Sequence, residues 1–284
     1  YRFAIARANL GQQVRNLFAL GVAARDNLAL ARENEARARE VSRVARALVE
    51  AGKEPPLRGL RADAALAQAT AALRAAEAEE EAARRSLAAL FGTDIPPAEL
   101  VGSDLLPPPP IVSASQTLDV RLAEAERAIA DAQLRQARAE GRLDPSVGVG
   151  VRQLRETGDR ALVASLSVPL PLFDRNQGNV AAARSDIQAA EARRNSVLTN
   201  TQAAIANARA AIDAADARVA ALAGSAINQA REALRLAELS YRAGKSSLIE
   251  LLDAQQAYSE TQAELIAARR ARAEAQATLE RQAA

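Results

Sequence analysis

The chain has 284 residues and a net charge of +2, from 37 basic and 35 acidic side chains mixed along its length. Apolar residues make up 49% of it but aromatics only 2%, and it contains no Cys, His or Met. That composition excludes disulfides, thiolate or imidazole metal sites and Ser-His or Cys-His catalysis within the chain, and the balanced charge argues against nucleic acid as a partner.

No run of about 18 apolar residues occurs, so no transmembrane helix is expected. Most of the apolar fraction is Ala, with Leu and Val, and Ala, Arg, Glu, Leu and Gln dominate long segments. This is the signature of long helices packed as in coiled coils. In chain order, residues 1–50 read as one helix with weak points at Gly11 and Gly21. Residues 51–56 form a turn whose Pro55 and Pro56 suit the first turn of the next helix. Leu57 to Phe91 is that helix, and Gly92 is its C-cap. Residues 93–117 are an irregular linker, because Pro107 to Pro110 cannot be helical. Residues 118–144 return to helix, from Asp119 to about Gly141.

The period then changes from helical to alternating. Residues 145–171 read as a β-hairpin of two strands of roughly ten residues each. Val147, Val149 and Val151 share one face, opposite Ser146, Gly148, Gly150 and Arg152; Leu162, Ala164, Leu166 and Val168 share a face in the second strand. Strand length and pattern fit an outer-membrane barrel. They fit equally a hairpin exposed at the end of a coiled coil.

Residues 172–284 form a second long helical hairpin, with Asp174 or Asn176 available as its N-cap. No proline interrupts it as far as Ala243, which gives roughly 70 residues and about 100 Å of helix. A 3,4 seam runs through Ile205, Ala208, Ile212, Ala215, Val219, Leu222 and Ala226. It then slips by one residue to Ile227, Ala230, Leu234, Ala237 and Tyr241. Gly244 ends the helix, Lys245 leads on, and Ser246 and Ser247 are placed to cap the next one, with Glu250 three residues past Ser247 at capping-box spacing. Leu248, Leu251, Leu252 and Tyr258 then continue the apolar stripe. Residues 244–247 are therefore a hairpin tip.

The first hairpin is a degenerate copy of the second. A shift of 192 positions lays Ala51-Gly52-Lys53 on Ala243-Gly244-Lys245, Ala38-Arg39-Glu40 on Ala230-Arg231-Glu232, Leu30 on Leu222 and Leu60 on Leu252. Internal repetition of a helix–tip–helix unit is a fold-level signal.

The layout, with YRAGKSSLIELLDAQQAY at the second tip and SVPLPLFDRNQGNVAAA after the hairpin, resembles the TolC-like outer membrane efflux proteins. The segment from Val168 to Ala183 is similar to the branch serving heavy-metal resistance pumps. The resemblance implies a mainly α fold of long antiparallel helical hairpins, with one β-hairpin contributing to a trimeric outer-membrane β-barrel. It implies a homotrimer in outer membrane lipid whose helical barrel crosses the periplasm. Its partners would be a periplasmic adaptor (membrane fusion) protein and an inner-membrane pump of the resistance-nodulation-division type, with no cofactor and no catalysis. Family members carry two β-hairpins per protomer and this chain has one, so the other hairpin and the helix before it are expected to precede Tyr1. Three copies of the chain by itself are not expected to close the family's barrel.

Two acids one helical turn apart, Glu250 and Asp253, follow the second tip. Alone they read as a solvated face favoured by the helix dipole. The resemblance assigns them to the periplasmic aperture, where three protomers would make two charge rings that select cations. Arg58 and Arg61 hold the same offset in the first repeat and are expected to pair with Glu250 and Asp253. Tyr241 corresponds to a family position whose hydroxyl tethers the closed tips. Gly52, Lys53, Gly244, Lys245, Ser246 and Ser247 are the candidate adaptor contacts, and no metal ligands are expected. The function expected is a passive conduit exporting heavy-metal cations. The alternatives are a type I secretion or multidrug efflux channel, or a coiled-coil scaffold.

Overall fold

The computed structural model describes residues 1–101, 107–142, 144–153, 155–156, 158–168 and 175–284. It comprises two compact units, one of Tyr1–Arg2 with Ala114–Gln202 and one of Phe3–Ser113 with Ala203–Ala284. Its helices are α1 (Arg2–Glu50), α2 (Pro56–Leu90), α3 (Leu118–Glu140), α4 (Gln177–Ala221), α5 (Ile227–Arg242) and α6 (Leu248–Ala283). The strands are β1 (Ser146–Gln153) and β2 (Arg160–Ser167). Among the described residues no helix is long and apolar enough to cross a membrane.

In the first unit, α3 and the start of α4 run antiparallel. Leu134 and Ala137 pack on Ala183, flanked by Val180 and Ile187. Two ion pairs set the register further along, Arg127–Glu191 and Arg194–Glu124, each at 3.1 Å. Both pairs are exposed, so they specify alignment more than they stabilise. Asn176 stands just before α4 at φ 58° and donates from its side-chain amide to Ala137 O at 2.9 Å. The other proposed cap, Asp174, lies outside the described residues.

The hairpin forms with Val147 opposite Leu166, Val149 opposite Ala164 and Val151 opposite Leu162. Directly opposed residues share a face, so both apolar rows lie on one side. The strands have eight residues each rather than about ten. Pairing stops at Ser146 and Ser167, next to Pro145, which has no N–H to donate. Val168 lies just beyond β2, and residues 169–171 of the expected hairpin are outside the described residues.

In the second unit, α1 and α2 form one hairpin and α5 and α6 another. The apolar cluster at their tips contains Val41, Ala45, Ala62, Leu234, Tyr241, Leu248, Leu251 and Tyr258. The helix before Gly244 is not the uninterrupted α-helix expected. Leu222–Ala226 is a π turn between α4 and α5. It sits where the 3,4 seam slips by one residue, and a π turn absorbs one extra residue. Ile205, Ala208, Ile212 and Ala215 are buried before it, and Ile227, Leu234 and Tyr241 after it.

The linker crosses these helices as a strap. Leu100 is 5% exposed and seats on α1 where Gly21 leaves room; a methyl group at Gly21 would overlap Leu100 Cδ1. Gly21 is thus a socket and not a break in α1. Arg25 donates to Leu100 O at 2.6 Å, Gln276 to Pro107 O at 3.1 Å and Arg209 to Val112 O at 3.2 Å. Backbone carbonyls that the prolines leave without a ladder partner are satisfied by three different helices.

Candidate functional site

The two tips are built alike. Gly52 and Gly244 take φ of +68° and +70°, the left-handed conformation that glycine adopts without steric cost. At the first tip Lys53 N donates to Leu48 O at 2.9 Å, and at the second Lys245 N donates to Ser240 O at 2.9 Å. Each closes the same six-residue ring on the last carbonyls of its helix. Gly52, Lys53, Gly244 and Lys245 are exposed, whereas Ser246 and Ser247 are half-buried.

Ser247 and Glu250 form the capping box. Ser247 Oγ accepts from Glu250 N at 3.3 Å, and Glu250 Oε2 accepts from Ser247 N at 3.1 Å. Glu250 therefore has a structural task at the start of α6. Asp253, one turn on, is exposed and makes no ion pair or hydrogen bond among the described residues.

The expected pairing of Arg58 and Arg61 with these acids is not formed within the chain. Arg58 pairs with Glu54, one turn back. The tip turn delivers that carboxylate to it, while the carboxylate of Glu250 is held at its own helix start. Arg61 is exposed and unpaired among the described residues.

Tyr241 is 3% exposed, and its hydroxyl has no hydrogen-bond partner among the described residues; the same holds for Ser246 Oγ and Gln255 Nε2. Burial raises the Tyr241 pKa, the Glu54 carboxylate raises it further and Arg58 opposes them. The phenol is therefore neutral throughout the physiological range. Beside it runs an open groove of about 380 Å³ lined by residues of α1, α5 and α6, among them Arg37, Glu40, Tyr241, Arg242 and Gln255. Arg37 also covers the Tyr258 ring at 5.0 Å, a cation–π contact that sequence spacing gave no means of finding.

The α1–α2 hairpin closes on Asp63, which accepts from Ser42 Oγ at 2.7 Å and Arg46 Nε at 2.9 Å. The Ser42 hydrogen bond, then that of Arg46, lowers the Asp63 pKa. A depressed carboxylate pKa contributes stability above the unfolded value of about 3.9 and loses it as pH falls through the folded value. Asp63→Asn is expected to lower the urea midpoint at pH 7 and to lower it less as the pH falls below about 3.9. Equal loss at neutral and acid pH would reject the charge as the cause.

In the other unit, the apolar face of the hairpin is uncovered: Val147 is 77% exposed, Val149 75%, Val151 70%, Leu162 79% and Leu166 69%. The opposite face carries Gly148 and Ser165, with Ser165 Oγ donating to Gly148 O at 3.4 Å. A two-stranded sheet with one apolar face bare on both strands does not bury it within this chain.

The sequence profile of the family described as outer membrane efflux protein matches residues 113–283, which is more than half of the chain. The chain belongs to the outer membrane efflux protein family. Two curated relatives are metal-resistance proteins. The nickel-cobalt-cadmium resistance protein NccC of Alcaligenes xylosoxydans xylosoxydans is 37% identical over 70% of this chain and 46% of its own length. The cobalt-zinc-cadmium resistance protein CzcC of Cupriavidus metallidurans is 28% identical over 88% of this chain and 61% of its own. The chain thus spans about half the length of the curated relatives it matches.

The fold also matches the outer membrane protein VceC of Vibrio cholerae, with TM-score 0.84 and 21% identity over 98% of this chain and 70% of that one. This bears out the mainly α fold with one β-hairpin and the resemblance to TolC-like channels. Membership in an efflux family sets the scaffold reading aside and accords with the non-enzymatic one.

Proposed function

We propose that this chain forms part of the outer membrane channel of a tripartite efflux system, a passive conduit that exports heavy-metal cations. The observation that carries the reading is the bare apolar face shared by β1 and β2. It asks for a hydrocarbon environment, and a family of outer membrane efflux proteins supplies one. Two relatives, which are resistance proteins for nickel, cobalt, zinc and cadmium, support the metal cargo.

Val147, Val149, Val151, Leu162, Ala164, Leu166 and Val168 face lipid in a homotrimeric barrel. The hairpins of residues 1–92 and 172–284 form periplasmic helical walls, joined by the linker of residues 93–117 and the helix of residues 118–144. Glu250 and Asp253 line the aperture, and Tyr241 tethers the closed tips. Arg58 and Arg61 complete the tether only through groups outside this chain's own tip acids. Gly52, Lys53, Gly244, Lys245, Ser246 and Ser247 meet a periplasmic adaptor, which joins the channel to an inner-membrane pump of the resistance-nodulation-division type.

The test is the mass in detergent and the single-channel conductance of the full-length protein. A conducting trimer supports the conduit, and a species that neither enters bilayers nor conducts rejects it. In the same assay Glu250→Ala with Asp253→Ala is expected to reduce cation preference severalfold, with Asp253 giving the larger share because the Glu250 carboxylate is held by Ser247 N at the helix start. Unchanged reversal potentials in both single variants would remove these residues from the aperture.

A further inference from the structure

The path from α4 into α5 holds one residue more than its packing uses. The seam runs through Val219, Leu222 and Ala226, and its 3,4 continuation would fall on residues 229 and 233. The stripe packed at the tip cluster is instead Ala230, Leu234, Ala237 and Tyr241, one position late. Removing one residue between Leu222 and Ile227 would join the two stripes into a single unbroken seam. The π turn is the form that the surplus residue takes. Ile227 N donates to Leu222 O, five residues back where an α-helix would bond four back.

Packing is loose around this turn. No residue from Asp216 to Ala226 is buried, whereas Ile212 and Ala215 before them and Ile227 after them are. A Cβ at Gly224 would meet nothing within 4 Å. Helix α6 lies against the turn, and none of its residues from Ser259 to Ala267 is buried either. By the rise of a helix, Gly224 and Ile266 each stand about 27 Å from the tip end of their hairpin arm. Both arms therefore lack a packed core at the same height. The side-chain amide of Asn228 donates to Gly224 O at 3.1 Å, so the turn is stitched within its own segment.

The two flanks are held in different ways. Above the turn, Arg209 donates to Val112 O of the linker strap, Gln276 of α6 donates to Pro107 O, and Asp216 pairs with Arg272 of α6. Below it, α5 is held by apolar burial in the tip cluster. Among the described residues no hydrogen bond or ion pair joins residues 217–241 to another helix. Sharp bends in helices concentrate at π turns and at Gly/Ser pairs. Gly224 and Ser225 put both features in one place.

We propose that Leu222–Ala226 is a hinge. About it α5, the second tip and the start of α6 move as one body, held together by Leu234, Tyr241, Leu248 and Leu251. The part of α4 tied to the strap stays in place, and the continuous α6 follows by bending over residues 259–267. The proposal rests on the channel reading, for which it names the joint that moves the tip bearing Glu250 and Asp253.

Two variants of the full-length protein test it, deletion of Gly224 and Gly224→Ala. Deletion replaces the wide turn by α-helix and aligns the stripes, so the urea midpoint is expected at or above that of wild type. Gly224→Ala keeps the residue count and the wide turn, and its methyl group enters open space. In wild type, amide hydrogen exchange over residues 222–228 is expected to be at least about tenfold faster than over residues 208–215 and 230–237. Deletion is expected to slow it to the rate of its flanks and to cut the frequency of channel opening severalfold at unchanged unit conductance. Gly224→Ala is expected to keep exchange and opening near wild type.

A deletion that folds and opens as wild type does overturns the hinge and leaves the channel standing. Equal losses from deletion and from Gly224→Ala overturn it by placing the flexibility in the glycine and not in the turn. A deletion that lowers the urea midpoint overturns it by showing that the packing needs the extra residue. A wild-type protein that never conducts overturns the channel reading, and the exchange comparison, which requires no conduction, then decides the joint.

Discussion

Replacing Leu248 by Ala is expected to cost about 3–5 kcal/mol of stability in the tip unit, the upper part of the range for deleting a buried leucine. Leu248 is 0% exposed and joins Leu251, Tyr241 and Tyr258 in the tip cluster. It is also the first residue of α6, directly after the capping serine, where Ala has no bulk to hold the turn against the cluster. The neighbourhood is rich in Ala, including Ala45 and Ala62 at 0% exposure, so no large side chain stands ready to fill the space. Ile249, one residue on and 49% exposed, is the control, because Ile249→Ala removes comparable volume from a half-solvated position. Urea unfolding followed by circular dichroism measures both. A difference of less than about 1 kcal/mol between the two variants would show that the tip is not a packed core.

Val149→Arg is expected to abolish most outer-membrane assembly of the full-length protein. Val149 is in the middle of β1, opposite Ala164, on the face that carries Val147, Val151, Leu162 and Leu166. An arginine at the bilayer midplane costs about 2–4 kcal/mol per copy, repeated in every copy of a barrel. Ser165→Arg, on the opposite face of the same hairpin, is expected to assemble and to alter conductance instead. Fractionation of membranes on a density gradient separates the two results. Equal loss from both substitutions would mean that the hairpin has no lipid face, and equal tolerance would mean that it lies outside the membrane.

Local signals accounted for the elements and the caps. The alternation of residues 145–168 defined the hairpin, because the strand period of two puts like residues on one side whatever the partner does. The two Ala-Gly-Lys turns and the Ser247–Glu250 box were legible for the same reason: each is a contract between residues within six positions of one another. The strand ends were less so, because how far two strands pair depends on both partners and not on the alternation of either. The Arg58 pairing failed because the alignment of repeats says which residues are equivalent and not which carboxylate is nearest. Glu54, in the turn itself, was nearer.

What the sequence by itself determined was the helical hairpins, the β-hairpin with its apolar face, the tip geometry and the slip of the seam near Ala226. All of these follow from the helical and strand periods and from backbone preferences, which act over a few residues. The tertiary structure alone decided that the slip becomes a π turn, that Gly21 is a socket for Leu100, that the proline linker is held by Arg25, Gln276 and Arg209, and that Tyr241 is enclosed with its hydroxyl unpaired. Each of these depends on atoms far apart in the chain meeting in space. In an Ala-rich sequence, where one face of a helix looks much like another, only the packed helices show which alanines are buried and which are left exposed.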